Sequence, residues 1–566
     1  VSSNEFLPLT AVIQAMNTVL HKTTVVLYYG TRPPDEELMK PTQPKLDRGT
    51  LIACCLAIGV AQMGVSLAAP ILGVIQRDLG ASAAALAWIP AAFILPTAIL
   101  ELNFGVLGDM FGRKRLLVWG GVLVFVGDVV AGTSGTLTQL IAGQAIAGLG
   151  AAAIFPTSLA MLVSATPERQ ERARALSLWA VSLAFGAMIA PLISGFAAEH
   201  FSWGWSFAIP AVLGLVTAAV SAAVIVDSRH PAGRGLDWPG QITIAVALLA
   251  LLYAVIQGSV DGYSSPVIVG TFVLAVAAFV AFVISEQRAR TPMLNLALFR
   301  TPAFAAAALI GLLAMFGFIG TAYALSVKLE AILHVSPLQA ALPFALIQAV
   351  PLLLTPLLPR LLMRVAARTL LVTGLAALAI GQIWMAQLPG DSTSLLAMTG
   401  PILLLGTGFI TMFTALTAVA VGAVAIDYAG MASAVTSLVR ETGQSLGPAI
   451  VSAVAFGVAG ATLTSSLSDG SLPPEAVGVA SGVAEQGGPL AVANADLGPI
   501  SDLVAPLART ALETGLDIGI YVCAGATVLA AVIALAIPGG APKGLDAAPI
   551  DAAASPAAGR LLPAGE

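Results

Sequence analysis

Charge interrupts this chain so rarely that it falls into fourteen apolar stretches, each near the ~20 residues that a helix needs to cross a bilayer. Numbered as helices 1 to 14, they lie at approximately 51–75, 85–107, 115–133, 138–164, 173–197, 203–226, 238–258, 265–285, 303–327, 338–358, 369–388, 396–424, 432–459 and 512–537. Most of them hold no Asp, Glu, Lys or Arg at all. Hydrocarbon offers no water to a backbone N–H or C=O, so such stretches must satisfy their own hydrogen bonds as helices. The expected class is an all-α polytopic membrane protein.

Composition agrees. The chain of 566 residues is 58% hydrophobic and 10% charged, against roughly 25% charged in soluble domains. A single soluble core stops growing near ~250–300 residues, too small to absorb this much apolar surface. The formal charge of −5 comes with 25 Lys and Arg in all, too sparse for a nucleic-acid surface. Cys54, Cys55 and Cys523 sit inside apolar runs, and His21, His200, His230 and His334 lie far apart. No disulfide framework, metal site or cofactor site is expected from them.

The basic residues set the orientation. With the N-terminus cytoplasmic, Arg113, Lys114, Arg115, Arg169, Arg172 and Arg174 fall inside, as do Arg288, Arg300, Arg360, Arg364 and Arg368. Arg77, Lys328 and Arg509 fall on the opposite side. An even helix count returns the C-terminus to the cytoplasm. Residues 1–50 read as a cytoplasmic leader, partly disordered, with the true start expected near Met39. Residues 539–566, rich in Ala, Pro and Gly, read as a disordered cytoplasmic tail. The outer loop 460–511 carries Asp469, Glu475, Glu485, Asp496 and Asp502 against Arg509. It reads as a solvated spacer, or as a partly folded hairpin that draws cations to the outer mouth.

A loose repeat organises the spans. Gly105–Leu117 (GVLGDMFGRKRLL) and Leu358–Leu371 (LPRLLMRVAARTLL) each place a basic turn between two apolar helices. Two six-helix bundles, 51–226 and 303–538, with helices 7 and 8 in the linker 227–302, produce that pattern. Such repeats are common in secondary transporters.

Gly105, Asp109, Gly112, Arg113 and Lys114 resemble the loop signature of the major facilitator superfamily. Gly186, Ala190, Pro191, Ser194 and Gly195 in helix 5 (GAMIAPLISG) resemble the antiporter signature of its drug exporters. The stretches 61–82, 203–211, 286–304, 334–342 (HVSPLQAAL) and 440–447 (RETGQSLG) are similar to the fourteen-helix drug:proton antiporter branch. The resemblance implies the major facilitator fold, a loop that latches and releases as the protein changes state, and efflux of drugs in exchange for protons. Two departures touch the coupling. Ala61 stands where that branch carries an aspartate in helix 1, and Gln144 where it carries an arginine in helix 4.

Other charges lie inside the spans, where each costs roughly 2.5–3.5 kcal/mol by insertion scales and so marks a functional candidate. Glu101 lies about 12 Å inward from Asp109, and Asp128 about 20 Å from Arg115, at 1.5 Å per residue. Glu441 falls near mid-depth in helix 13 and Asp517 near the outer end of helix 14. Burial disfavours a charged carboxylate, so an embedded acid exchanges its proton when alternating access changes its hydration. Glu101 or Asp128 is the expected substitute for the missing helix 1 aspartate, with Glu441 and Asp517 as further candidates. Each can equally be a carboxyl that only ties helices together. Arg440 needs an acid, which another helix can supply better than its neighbour Glu441. Lys328 and Glu330 are expected at the outer interface, with their heads snorkelling to water.

The substrate path is expected between the bundles near mid-membrane. Its candidate walls are Trp88, Phe93, Gln144, Phe155, Phe316, Tyr323, Gln348, Trp384, Phe413 and Arg440. Taken singly, each also fits core or lipid-facing packing. An aromatic and apolar lining suits bulky lipophilic compounds. The sequence holds no GxxxxGK[ST] loop, which disfavours direct ATP drive. It shows no cytosolic domain or catalytic constellation, so an enzyme is not expected. The reading is an efflux permease of a bacterial plasma membrane, monomeric, with protons, lipids and a lipophilic small molecule as partners. The alternatives are a dedicated metabolite or lipid exporter, a uniporter, or a receptor or scaffold on a transporter fold that carries nothing.

Overall fold

The computed structural model describes residues 48–537 except 167, 227–235, 290–291, 293, 356, 391–392, 425–427 and 470–471. The expected leader before residue 48 and the tail beyond 537 lie outside the described residues. Among those described, every regular element is a helix.

The first half holds α1 Arg48–Ser66, α2 Ala83–Phe111, α3 Arg113–Gly132, α4 Leu137–Ala165, α5 Arg169–His200 and α6 Ala208–Val224. A pair follows, α7 Trp238–Asp261 and α8 Pro266–Arg288. The second half holds α9 Pro302–Ser326, α10 Pro337–Leu354, α11 Ala367–Ala386, α12 Leu395–Gly422, α13 Ala429–Ser468 and α14 Ser501–Ala536. Thirteen spans are each long and apolar enough to cross a membrane, and α2 makes a fourteenth as a bent pair. Its parts, Ala85–Glu101 and Asn103–Phe111, meet at 56°. The protein is therefore multi-pass, as its apolar stretches require.

Within the first half, α3 packs on α4 and α6, and α1 on α4, α5 and α6. Within the second, α9 packs on α13 and α14, α11 on α12 and α14, and α10 on α12. The bundles meet along two seams, α5 with α10 and α2 with α13. The α7 helix lies against α2 and α13, and α8 rests on α7. The α8 face bearing Val273, Leu274, Val276 and Val280 is exposed, as a helix solvated by lipid should be.

Two expectations change. Helix 1 stops at Ser66, and the chain turns through a 3-10 turn, Ala69–Ile71, into a separate helix, Leu72–Leu79. Pro70 stands in the first positions of that turn, and its missing N–H favours a fresh helix start over continuation. The loop 460–511 is not a solvated spacer. The α13 helix runs into it as far as Ser468, α14 begins at Ser501, and between them Pro474–Asn494 is helical on both sides of a break at Gly488 (φ 71). Ala476, Ala480, Leu490 and Val492 of that segment are buried, and it packs on α14. Small residues at helical spacing gave the loop a face to bury, which its average polarity concealed.

Helices this close need small residues where their backbones meet. A Cβ added to Gly186 of α5 would stand 2.2 Å from the carbonyl oxygen of Gly59 of α1. Gly186→Val is therefore expected to separate α1 from α5 and to destabilise the fold by about 1–3 kcal/mol. A lower thermal midpoint in detergent would register this; an unchanged midpoint would mean the seam tolerates bulk.

Candidate translocation site

The α2–α13 seam brings charges from both bundles together. Glu101 closes the first part of α2, at the 56° bend, while Arg440 and Glu441 stand about 17 Å inside the start of α13. The Glu101 and Glu441 carboxyls lie within hydrogen-bonding reach of each other, and the Arg440 guanidinium faces both. Two carboxylates cannot touch while both are charged; a proton between them turns the repulsion into a hydrogen bond. The Oε2 atom of each is buried without a hydrogen-bond partner among the described residues. Glu101 is thus the acid from another helix that Arg440 was expected to need.

Arg440 is held from two further sides. Its Nη2 donates to Ser437 Oγ at 3.0 Å, and its Cζ sits 4.3 Å from the Phe413 ring centroid of α12. A cation over an aromatic face gains on the order of 0.5–2 kcal/mol. Phe413 lies 5.7 Å from Phe409, which stacks at 4.3 Å on Phe318 of α9. This ladder of three rings leads to the charge cluster. Phe318 and Phe409 were not picked out from the sequence, because single aromatics in apolar helices carry no signal of mutual stacking.

The other candidates are spread more widely. Phe93 is buried with its ring over Gly64 of α1, and Gln144 is buried in α4. Phe316 and Tyr323 are buried on α9, with the Tyr323 hydroxyl facing Ser452 of α13. Phe155 on α4 and Gln348 on α10 are half-buried. Trp88 meets Tyr253 of α7 at 6.5 Å, and Trp384 is exposed and covers Gly400 of α12. Asp128 on α3 is buried, and no charged group among the described residues faces it. Asp517 pairs with Lys328, Nζ to Oδ1 3.4 Å.

The two signatures divide between internal and cross-bundle work. Gly112 carries the turn at φ 106, a conformation that side chains disfavour. Arg113 then donates through Nε (3.1 Å) and Nη2 (2.8 Å) to Asp109 Oδ1, and through Nη1 to Ala160 O at 3.0 Å. These bonds tie α2, α3 and α4 at the arginine-rich end, inside one bundle; Gly105 and Lys114 flank them. In α5, Ser194 Oγ donates to Pro191 O at 3.1 Å and Ala190 is fully buried. Gly195 faces the other bundle: a Cβ there would stand 2.6 Å from Pro337 O of α10. Beside it, Glu199 Oε2 accepts from Ser336 Oγ (2.8 Å) and Leu338 N (3.0 Å), a carboxylate at the N-terminus of α10. Glu199 was missed, although an acid at the C-terminal end of its own helix needs an outside donor.

Lys328 and Glu330 are corrections. They do not snorkel: their exposures are 7% and 0%. Lys328 is drawn in by Asp517, and Glu330 by the backbone of the opposite bundle, where Gly73 N donates to its Oε2 at 2.8 Å.

Comparison with known proteins agrees with this fold. The family model described as Major Facilitator Superfamily matches residues 54–448. The multidrug resistance protein Stp of Mycobacterium tuberculosis is 29% identical over 414 residues, 73% of this chain and 77% of that one. The multidrug efflux pump LfrA of Mycolicibacterium smegmatis is 27% identical over 500 residues, 88% and 95% of the two chains. Among solved structures, a bacterial homologue of the human lysosomal transporter Spinster, in an inward-facing and occupied conformation, superposes with a TM-score of 0.60. It is 14% identical and covers 86% of this chain and 96% of its own, so it speaks for the fold alone.

The Lys328–Asp517 pair gives a direct test of how such charges are held. Asp517→Asn strands a buried ammonium and is expected to cost about 3–5 kcal/mol, whereas Lys328→Met with Asp517→Leu restores most of it. Thermal midpoints of the purified variants check this; a single variant as stable as the parent would mean the pair carries no weight.

Proposed function

Because the chain belongs to the Major Facilitator Superfamily, we propose that it exports lipophilic drugs or secondary metabolites by alternating access, in exchange for protons. Relatives named for multidrug resistance and efflux support the export half. The observation that carries the proton half is the contact of Glu101 with Glu441 across the α2–α13 seam. The two acids belong to different bundles, and rocking the bundles parts or joins them. Joined, they share a proton; parted into water, they release it. The cluster stands in for the aspartate and arginine whose places are taken by Ala61 and Gln144.

The substrate chemistry follows from the same residues. Two carboxyls face one guanidinium, so loss of the shared proton leaves one negative charge beside the Phe318–Phe409–Phe413 ladder. A lipophilic cation fits that site and replaces the proton there. Proton and drug then exclude each other, which is the requirement for exchange. In this reading the arginine-rich end is cytoplasmic, as the positive-inside rule directs, with both termini inside. The membrane is a bacterial plasma membrane, and one chain is the working unit.

A second reading, uniport or dedicated export without proton exchange, draws on Ala61 and Gln144 alone. Proton flux into proteoliposomes on addition of a lipophilic cationic dye separates the two. Glu101→Gln and Glu441→Gln are each expected to lower that flux at least tenfold and to weaken binding of the cationic dye, because each removes the negative charge that the cation meets. Flux at the parent level in both variants would favour uniport. In intact cells, dye efflux that a protonophore does not slow would count the same way.

A further inference from the structure

The first part of α2 runs beside α7, and the two part company where α2 bends. Trp88 of α2 meets Tyr253 of α7 at 6.5 Å. Further toward the arginine-rich end, Gln241 Nε2 of α7 donates to Ile99 O of α2 at 2.7 Å. The two helices are therefore antiparallel and in step from one contact to the other. The α7 helix begins at Trp238, so by the same register the part of α2 past the bend, Asn103–Phe111, runs on beyond its start. In a straight helix Ile99 O accepts from Asn103 N. The 56° bend falls between those two residues, and Gln241 reaches the same carbonyl from outside. A side chain that enters the hydrogen-bond ladder is a sufficient cause of a sharp kink. Pro90 and Pro96 unsettle the ladder at Leu86 and Ala92, well before Ile99.

Gln241 stands on a turn that is itself held in place. Asp237 Oδ1 accepts from Gly240 N at 2.9 Å and caps the start of α7. Gly240 lets α8 come so close that a Cβ there would stand 2.7 Å from Glu286 Oε1. Glu286 Oε2 in turn accepts from Leu294 N at 2.9 Å. Gln241 is 3% exposed, and its Oε1 is buried without a hydrogen-bond partner among the described residues. A leucine would fill the place without that loss. The donor is the part of this side chain that the fold uses.

We propose that α7 splints α2 and that Gln241 is a positioning residue for the exchange. Its bond to Ile99 O fixes the bend just past Glu101, and so presents that acid to Glu441. The α7 helix packs on α13 as well as on α2, so the splint spans the seam at which the two acids meet. Without the bond, the bend slides back toward Pro96, where α2 is already soft. Glu101 then lies beyond the bend and swings away from Glu441. The helix pair between the bundles thereby acts in the exchange and does more than connect the halves.

The inference rests on the proton-exchange reading above, but its geometry is tested with neither drug nor proton gradient, so the two can fail separately. The full chain carries Cys54→Ala, Cys55→Ala and Cys523→Ala. In it, Glu101→Cys with Glu441→Cys reports the α2–α13 seam through its rate of bridging by a short bis-methanethiosulfonate. Glu199→Cys with Ser336→Cys, in contact across the α5–α10 seam, gives the reference rate. Gln241→Met keeps the volume and loses the donor, and is expected to slow the first rate against the reference on the order of tenfold. Gln241→His returns an N–H at similar reach and is expected to bridge at nearly the parent rate. With both acids in place, Gln241→Met is expected to move on the order of threefold fewer protons per dye molecule. Bridging at the parent rate in Gln241→Met overturns the proposal. So does equal slowing in Gln241→His, slowing of both cysteine pairs together, or an unchanged ratio of protons to dye. A parent that moves no protons sinks the exchange reading, while the bridging rates still judge the splint.

Discussion

A charge inside hydrocarbon is costly enough that it persists only where a partner meets it, and this fold is organised around the few places where that happens. Apolar packing cannot choose one helix arrangement among many, because lipid solvates a helix of leucine and alanine as well as another helix does. The embedded charges can choose. Lys328 with Asp517 fixes α9 on α14 inside one bundle. Arg113 with Asp109 and Ala160 O fixes α2, α3 and α4 inside the other. Glu101 with Glu441, and Glu330 with Gly73, instead span the two bundles. The first kind of tie makes each half rigid, and the second kind holds the two halves to each other.

The spans were legible because hydropathy is a local property: twenty residues without charge decide their own fate in a bilayer. The helix seams were legible for a similar reason, since glycines such as Gly186 and Gly195 announce that something must come close, though not what. What could not be read was partnership over distance. Glu330 and Gly73 are 257 residues apart, and nothing near either names the other. Taken alone, an acid near the end of a span snorkels, and only the opposite bundle turns it inward. The stretch 460–511 failed differently. Its many Ser, Gly, Asp and Glu residues lower the average hydropathy to that of a loop, but Ala476 and Ala480 still share a buried helix face, in a segment that packs on α14.

The same reasoning separates the carboxyls that sequence alone left as candidates, with Glu101 and Asp128 ahead of Glu441 and Asp517. Asp128, Asp517, Glu101 and Glu441 all interrupt apolar helices, and depth along a helix does not rank them. Their neighbours do. Asp517 answers a lysine of its own bundle, which a rocking motion carries along with it. Asp128 lies in α3, away from both seams, so relative movement of the bundles leaves its surroundings alone. Only Glu101 and Glu441 face each other from helices that belong to different bundles. For a proton site that must change with the conformation, this placement is the physical requirement.

The Glu330 and Glu101 contacts between the bundles are also linked along the chain. The short helix that holds Glu330 is joined to α2 by the turn Gly80–Ser82, and α2 carries Glu101 further along. Between them lie Pro90 and Pro96, each of which removes a helical hydrogen bond and softens the rod. The 56° bend follows Glu101 directly. On the other side, α9 carries Glu330 at its outer end and packs along α13, the helix of Arg440 and Glu441. Movement of the outer part of α2 against α9 therefore reaches the α2–α13 seam through the two helices that hold the central acids. In the proposed cycle that pair governs what is exchanged there, and the prolines and the bend let the seam part without dismantling either bundle.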